Sequence, residues 1–447
     1  MRREVFICSR SCYLQQNIVD RVNVLKIKSV RGMHDVFGQD MAVWSHIEQI
    51  IRQVYTRAGY REIRTPILES TDLFLRGVGE TSDIVNKEMY TFMDRGGDSV
   101  TMRPEGTAPV VRAAIENGLI QPGHEVKLFY IGPMFRYERP QKGRQRQFHQ
   151  YGIEHLNTSS AFSDAEVIAL QSLLYREIGL LNCEVEISSV GCQECRQAYE
   201  GELKKALQEK IAQVPENFRP RIDSAPMRIF DQKDEGSQKL SETLPTMLQY
   251  LCEQCLNHFE QVKRHLKNMD TQFKVNPKIV RGLDYYNSTA FEVKSSHLGS
   301  QSALGGGGRY DGLFEDLGAN PTASVGFAGG LERLVIAYQA TNTEKFSDKT
   351  DVFVLCADEP LRDTATEIYW GLLKRGLQVT IDHEMRSFKS QIKKADKAGA
   401  RYVVILGERE WQEGKLILKD FASGDQIEVP VGDKTEIASE ISKKLKL

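Results

Sequence analysis

Apolar residues recur along this chain with two periods, and the change of period marks its elements. A helical period governs residues 41–58, where Val43, Ile47, Ile50, Ile51 and Val54 fall on one face, with Asp40 ahead as a cap. After Gly59 the string YREIRTPILE is extended, and Pro66 requires an edge or a bulge there. In 84–116 two short strands flank Gly96 and Gly97. The second delivers Arg103, Glu105 and Thr107 to a helix starting near Ala108. The period of two is clearest in 128–156, LFYIGPMFRYERPQKGRQRQFHQYGIEHL. An apolar strand enters a polar loop and a second strand, 147–156, returns, so Phe148, Gln150 and Glu154 share one face.

Downstream the pattern predicts a helix over 164–178 and a strand over 183–189. Residues 191–270 are charged and helical without strand alternation, as in an inserted module. Strands resume at Ile279. Four glycines, 305–308, are embedded in a strand pattern between Leu304 and Tyr310, where backbone can approach a ligand closely. Residues 323–338 read strand, double glycine, helix, with Arg333 in the first turns. A polar stretch over 339–349 is the linker to a β-α-β-α-β alternation, a parallel α/β arrangement. The expected organisation is an extension (1–27), an α+β domain on an antiparallel sheet (28–340) with a helical insertion (191–270), a linker (341–350) and an α/β domain (351–447).

Composition adds bounds rather than a partner. The 447 residues suffice for two or three domains, with 40% apolar and 27% charged residues and a net charge of -2. No apolar run approaches the roughly 20 residues of a membrane helix, so a cytoplasmic protein without membrane association is expected. The first 27 residues carry bases and two cysteines but no apolar stripe. Their apolar centre is too short for a secretory signal, and Glu4 and Asp20 are unlike a transit peptide, so a disordered tail or an upstream-start artefact is expected. Two CxxC pairs, Cys192 with Cys195 and Cys252 with Cys255, suit zinc if the fold joins them. The 56 intervening residues exceed ribbon spacing, and the second pair sits in a helix-like stretch. The reading therefore takes them as reduced core or half-exposed cysteines and names no metal ligands.

Local charge is more informative. Between Arg136 and His149 there are five Arg or Lys and one acid, Glu138, a focused patch for a polyanion. Beside it the aromatic, amide and carboxylate of one strand face suit a nucleotide with an amine-bearing substrate. Neither GxxxxGK[ST] nor a GxGxxG after a strand occurs. A second run, residues 386–401, has six bases against Asp396, a candidate grip on RNA phosphates.

The strings FRYERPQKGRQRQFHQYGIEH, RPEGT, VRGLDYYNSTAFEV and ALGGGGRYDGL resemble those of the histidyl-tRNA synthetases, and the first is similar to motif 2 of class II aminoacyl-tRNA synthetases. Residues 41–69 resemble motif 1, which builds the dimer of that class. Residues 323–338 resemble motif 3, and the C-terminal part resembles the class IIa anticodon-binding domain. The resemblance, from about Lys28 onward, implies histidine–tRNA ligase activity by a homodimer using ATP, Mg²⁺, L-histidine and tRNA(His). It implies that Arg136 and Arg281 flank the α-phosphate, that Arg144 and Arg333 hold the outer phosphates, and that Phe148 stacks on adenine. Glu105, Thr107 and Gln150 would bind the amino group, Glu154, Tyr285 and Tyr286 would read the imidazole, and Arg139 and Gln141 would touch tRNA. The insertion would reach toward the acceptor stem, with lysines 204, 205, 210, 263 and 267 dispersed along it. One departure is local: Asn287, Ser288 and Thr289 stand where the family string has Thr-Gly-Thr. The alternatives are a synthetase-like regulatory subunit that binds histidine without aminoacylation, and a class II synthetase for another amino acid.

Overall fold

The structure is a computed structural model that describes residues 27–79, 82, 84–141, 143–232, 234–279, 285–298, 302–342, 350–356, 358–432 and 437–445. The extension over 1–26, most of the linker, and Arg281 lie outside the described residues.

Helix α1 (Gly38–Arg57) buries Val43, Trp44, Ile47, Ile51, Val54 and Tyr55, the stripe its spacing predicts. Asp40 is not its cap. The cap position is Phe37, without a side-chain bond, and Asp40 sits in the first turn, where its carboxylate complements the helix dipole and accepts from Gln339 Nε2 at 2.9 Å. The chain then turns into β1 (Arg61–Glu62), passes Pro66, and enters β2 (Leu68–Ser70) and α2 (Thr71–Val78). Strands β3 (Tyr90–Met93) and β4 (Ser99–Met102) join β2 in a small antiparallel sheet, ordered β2-β4-β3, and α3 (Thr107–Glu116) follows.

The main sheet is built from β5 (Val126–Phe135), β6 (Gln147–Leu156), β7 (Cys183–Ser189), β8 (Lys274–Val275), β9 (Asn287–Ser295), β10 (Ala303–Arg309) and β11 (Ser324–Gly330), with β1 at one edge. Its order is β1-β5-β6-β11-β10-β9-β7-β8. Only the edge pairings, β1 with β5 and β7 with β8, are parallel. Helix α1 covers one face together with α4 (Ala161–Ile178), α7 (Glu253–Asn268) and α9 (Leu331–Thr341), and Tyr151 and Ile153 of β6 point into that layer. On the opposite face Leu128, Tyr130 and Met134 of β5 meet Val110, Val111 and Ala114 of α3. Strand alternation thus gives one face of the β5–β6 hairpin to the helical core and leaves the other for a site.

A buried ionic knot ties these layers. Asp164 of α4, fully buried, pairs with Arg309 of β10 and accepts from His258 of α7 at 2.7 Å and Thr289 of β9 at 2.5 Å. His258 and Arg309 hold the Asp164 carboxyl below its usual range despite burial. The departure from the family string fits here: Asn287 and Asp311 exchange two 2.8 Å bonds, and Ser288 takes a positive φ of 51°.

Residues between β7 and β8 form α5 (Gln193–Glu209), α6 (Glu235–Glu242) and short 3-10 turns around their own core, with Tyr199, Leu203, Leu207, Phe218, Ile229 and Leu240 inside. Helix α7 completes this run but also joins the main core through Phe259, Val262 and Leu266. The cysteines overturn the spacing argument against a shared site. Cys192 and Cys252 are N-caps of α5 and α7, so the second pair opens its helix rather than lying inside it. The four sulfurs lie within 4.8 Å of one another.

In the C-terminal region β12 (Val352–Cys356) pairs in parallel with β13 (Val379–Ile381) and β14 (Tyr402–Leu406), with α10 (Arg362–Leu373) and α11 (Phe388–Lys397) as the connecting helices. The sheet is not purely parallel. Strands β15 (Lys415–Asp420) and β16 (Gln426–Pro430) extend it as an antiparallel hairpin, burying Leu416, Leu418 and Val429.

Candidate active site

The site lies on the α3 side of the hairpin. Even-numbered residues of β6 face it in order: Phe148, Gln150, Gly152 and Glu154. Gln150 is flanked by Gly132 on β5 and Gly330 on β11, so neither cross-strand partner sets a side chain against it. Its Oε1 is buried without a hydrogen-bond partner.

Glu154 forms the floor. It is fully buried, and its two oxygens accept from Thr107 Oγ1 at 2.8 Å and Tyr310 OH at 2.5 Å. Burial pushes its pKa up to about 8 in spite of these donors, with Glu105 adding like-charge repulsion. Gly326 beside it on β11 is required by contact, since a Cβ there would lie 1.8 Å from Glu154 Oε2.

Glu105 is both a cap and a pocket wall. Its oxygens accept from the backbone N–H of Thr107 at 2.7 Å and of Ala108 at 2.8 Å, which closes the start of α3. Burial raises its pKa against the pull of those amides and of Arg136. Tyr285 and Tyr286 stand just before β9 rather than on a strand, so strand alternation does not send them to opposite faces. Their ring centroids are 4.7 Å apart and both join the cluster on the α3 side. Tyr310 packs edge-on to Tyr285 at 5.7 Å.

Three buried polar atoms have no hydrogen-bond partner here: Gln150 Oε1, Tyr285 OH and Tyr130 OH. Unsatisfied polar atoms cost about 1–3 kcal/mol each when buried, so their convergence marks a place built for a polar ligand.

Toward the hairpin tip the charge reverses. The Arg136 guanidinium lies 5.2 Å from the Phe148 ring centroid and donates through Nε to Pro104 O at 2.8 Å. Arg144 pairs with Glu138 at 3.3 Å. Arg333, in the first turn of α9, backs onto Gly143, where a Cβ would meet its Cγ at 3.3 Å. Burial, followed by repulsion from Arg144, pushes the Arg333 guanidinium below its usual value. Arg139 and Gln141 are exposed at the tip, Gln141 in a backbone bridge to Arg144.

The structure thus brings Glu105, Thr107, Gln150, Glu154, Tyr285 and Tyr286 together and sets Arg136, Phe148, Arg144 and Arg333 beside them. Within the glycine run a Cβ on Gly305 would meet Phe327 at 2.5 Å, one on Gly307 would meet Gly326 O at 2.0 Å and one on Gly308 would meet Thr289 O at 2.3 Å, so these three also admit neighbouring strands. Of the insertion lysines, Lys205 and Lys263 pair with glutamates one turn away and Lys210 binds Thr243. On the C-terminal basic run Arg386 and Lys394 both pair with the buried Asp382.

Sequence reasoning missed three contributors, Tyr130, Tyr310 and Glu332, and placed Arg103 without giving it a role. Tyr130 and Tyr310 line the pocket. Arg103 donates to Pro133 O at 2.9 Å and Thr65 Oγ1 at 2.8 Å, fixing β5. Glu332 accepts the His149 N–H at 2.9 Å, tying α9 to β6. The only available signal was adjacency, since Tyr310 follows the glycine run and Arg103 and Glu332 neighbour named residues.

Comparison with known proteins agrees with this geometry. A sequence model described as histidyl-tRNA synthetase matches residues 32–334, and one described as an anticodon binding domain matches residues 351–441. The chain is 45% identical over 415 residues to a histidine–tRNA ligase of Desulfitobacterium hafniense, covering 92% of this chain and 98% of that protein. It is 43% identical over 413 residues to one of Halothermothrix orenii, covering 92% and 99%. The crystal structure of apo Staphylococcus aureus histidyl-tRNA synthetase superposes with a TM-score of 0.77 at 33% identity, covering 92% of this chain and 99% of that one. With an antiparallel sheet, an arginine-lined tip and an acidic floor, and with relatives matched along nearly their whole length, the chain belongs to the histidyl-tRNA synthetase family of class II aminoacyl-tRNA synthetases.

Proposed function

We propose that the pocket around Glu154 holds the histidine, and the arginines of the hairpin tip and α9 the ATP, of this enzyme, a histidine–tRNA ligase. The activity follows from family membership; the residue assignments are argued from the site. In the first step the histidine carboxylate attacks the α-phosphorus and pyrophosphate leaves. In the second, a hydroxyl of the terminal ribose of tRNA(His) attacks the acyl carbon and AMP leaves.

Both reacting groups are anions, so the protein's work is alignment and charge neutralisation. Arg136, held by Pro104 and lying over Phe148, is suited to the α-phosphate beside a stacked adenine. Arg281 keeps the same role by resemblance. Arg144 and Arg333, two cations forced together, suit the outer phosphates. ATP enters as its magnesium complex; Glu138 and Glu292, both acting on the charge of Arg333, are carboxylates suited to that ion.

At the other end Glu105, Thr107 and Gln150 bind the ammonium, and Glu154 with Tyr285 and Tyr286 reads the imidazole nitrogens. The observation that carries this reading is the trio of unpartnered buried polar atoms around a carboxylate floor. A substrate without matching ring nitrogens would leave that set unpaired. Arg139 and Gln141 are exposed where a tRNA end could meet them, and the anticodon-binding match supports a tRNA contact by residues 351–447. We retain the domain division read from the sequence, a cytoplasmic location and a homodimer as parts of this proposal. No helix among the described residues is long and apolar enough to cross a membrane.

The test is ATP–pyrophosphate exchange with each amino acid in turn. Exchange supported by histidine alone is expected, and Glu154→Gln should abolish the preference for histidine. Folded protein that binds histidine without exchange would favour the regulatory subunit, and exchange with another amino acid would favour a different synthetase.

A further inference from the structure

Away from the active site, the two CxxC pairs converge at the root of the helical insertion. The sulfurs of Cys192 and Cys195 are 3.5 Å apart, and all four lie within 4.8 Å of one another. A zinc–sulfur bond of about 2.3 Å implies a tetrahedron edge of about 3.8 Å, which matches this cluster. A disulfide would require about 2.05 Å, and the four cysteines are free.

The surroundings are those of a ligand set rather than a packed core. Each pair opens a helix: Cys192 and Cys252 are the N-caps of α5 and α7, and Cys195 and Cys255 stand three residues further on. Both helix N-termini therefore direct their positive ends at the sulfurs, which stabilises thiolate. The backbone N–H of Cys252 donates to Cys195 Sγ at 3.1 Å. Thus one CxxC turn supplies an amide to a sulfur of the other, as expected of an outer shell around a metal. Gly191 leads into the first turn with a φ of 63°, and a Cβ there would lie 2.6 Å from the Cys195 Cβ. Four thiolates this close repel unless a cation sits among them, and soft sulfur donors select zinc over magnesium or calcium.

We propose that Cys192, Cys195, Cys252 and Cys255 together bind one zinc ion as a closed, structural, four-thiolate site. Each thiol loses its proton on binding, and the ion has no open position for chemistry. The site joins the starts of α5 and α7, so it closes the loop of chain between them at its base. It also fixes the module to the sheet, because Arg196, next to Cys195, donates to the carbonyl of Tyr286, and Ser288 N donates to Gly191 O at 2.9 Å. The module is thus anchored beside Tyr285 and Tyr286.

The test is elemental analysis of the full chain purified without chelators. About one zinc per chain is expected. Cobalt exchanged into the same protein should give the intense thiolate charge-transfer and tetrahedral d–d absorption of a four-sulfur site. In a Cys252→Ser, Cys255→Ser protein the zinc should be lost and limited proteolysis should cut within the insertion. Should that protein fail to fold, the cobalt spectrum of the unaltered chain still decides. Metal-free protein whose four thiols all react with an alkylating reagent in the folded state would overturn the proposal. So would iron in place of zinc, or zinc retained by the doubly substituted chain.

Discussion

Glu154 is a carboxylate under two opposed influences. Burial and Glu105 favour its protonated form, while Thr107 and Tyr310 each donate to an oxygen and favour the ionised one. Because its folded pKa is raised to about 8 from 4.5, the group's stabilising contribution is full below the lower value and is lost as pH rises through the upper one. The thermal midpoint of Glu154→Gln should therefore fall less steeply than that of the unaltered protein from about pH 5 to about pH 8. Equal slopes would mean that Glu154 does not titrate in this window. Tyr310→Phe removes a hydrogen bond to Glu154, worth about 0.5–1.5 kcal/mol. It should raise the histidine KM in the exchange assay by about 2- to 10-fold. At Arg333 the expected signs diverge: Arg333→Ala relieves repulsion from Arg144, so the ATP KM should rise while the unfolding midpoint holds or increases. A clear loss of stability would argue for a structural role instead. Glu105, Gln150 and Glu154 were legible because each sits in a short string with a clear local pattern. Tyr310 was not, because its partner Glu154 lies 156 residues away in sequence and no local periodicity records such a pairing.

At the level of elements, the β5–β6 hairpin was the most readable part, since alternation and the charged tip are both local signals. What holds it in place was less readable. Asp164, Arg309, His258 and Thr289 come from α4, β10, α7 and β9, and only the folded chain brings them together. Removing Asp164 leaves the buried Arg309 with Asp311 as its remaining counter-ion and takes the acceptor from His258 and Thr289, so Asp164→Ala should cost about 3–5 kcal/mol in urea unfolding. A cost under about 1 kcal/mol would mean that water or another group replaces it. The two cysteine pairs and the β15–β16 hairpin escaped for different reasons. Spacing rules for metal sites assume a short loop, whereas here a helical module occupies the interval. The hairpin's alternation of Leu416 and Leu418 was present in the sequence but lay beyond the helix–strand repeat that set the expectation.

For the whole molecule, exposed apolar side chains at both edges of the small sheet bear on assembly. Ile67, Leu68, Phe92 and Met93, on or beside β2 and β3, are between 42% and 63% exposed. Such a surface is costly on a monomer and suits a dimer seam. On the homodimer proposed above, Phe92→Glu should shift sedimentation from dimer toward monomer without unfolding the chain; an unchanged dimer would move the seam elsewhere. The sequence offered the proline-bearing edge at 61–69 but not β3 as the opposite edge of the same small sheet.

The reversal of charge along the hairpin face has one more consequence. A free amino acid carries its own dipole, ammonium at one end and carboxylate at the other. With Glu105 at the closed end and Arg136, Arg144 and Arg333 toward the tip, the site proposed above would turn the incoming zwitterion before any atom makes contact. The carboxylate then arrives already aimed at the phosphates. N-acetylhistidine, which keeps the ring and the carboxylate but carries no ammonium, would lose the pull of the acidic end and should bind more weakly than histidine.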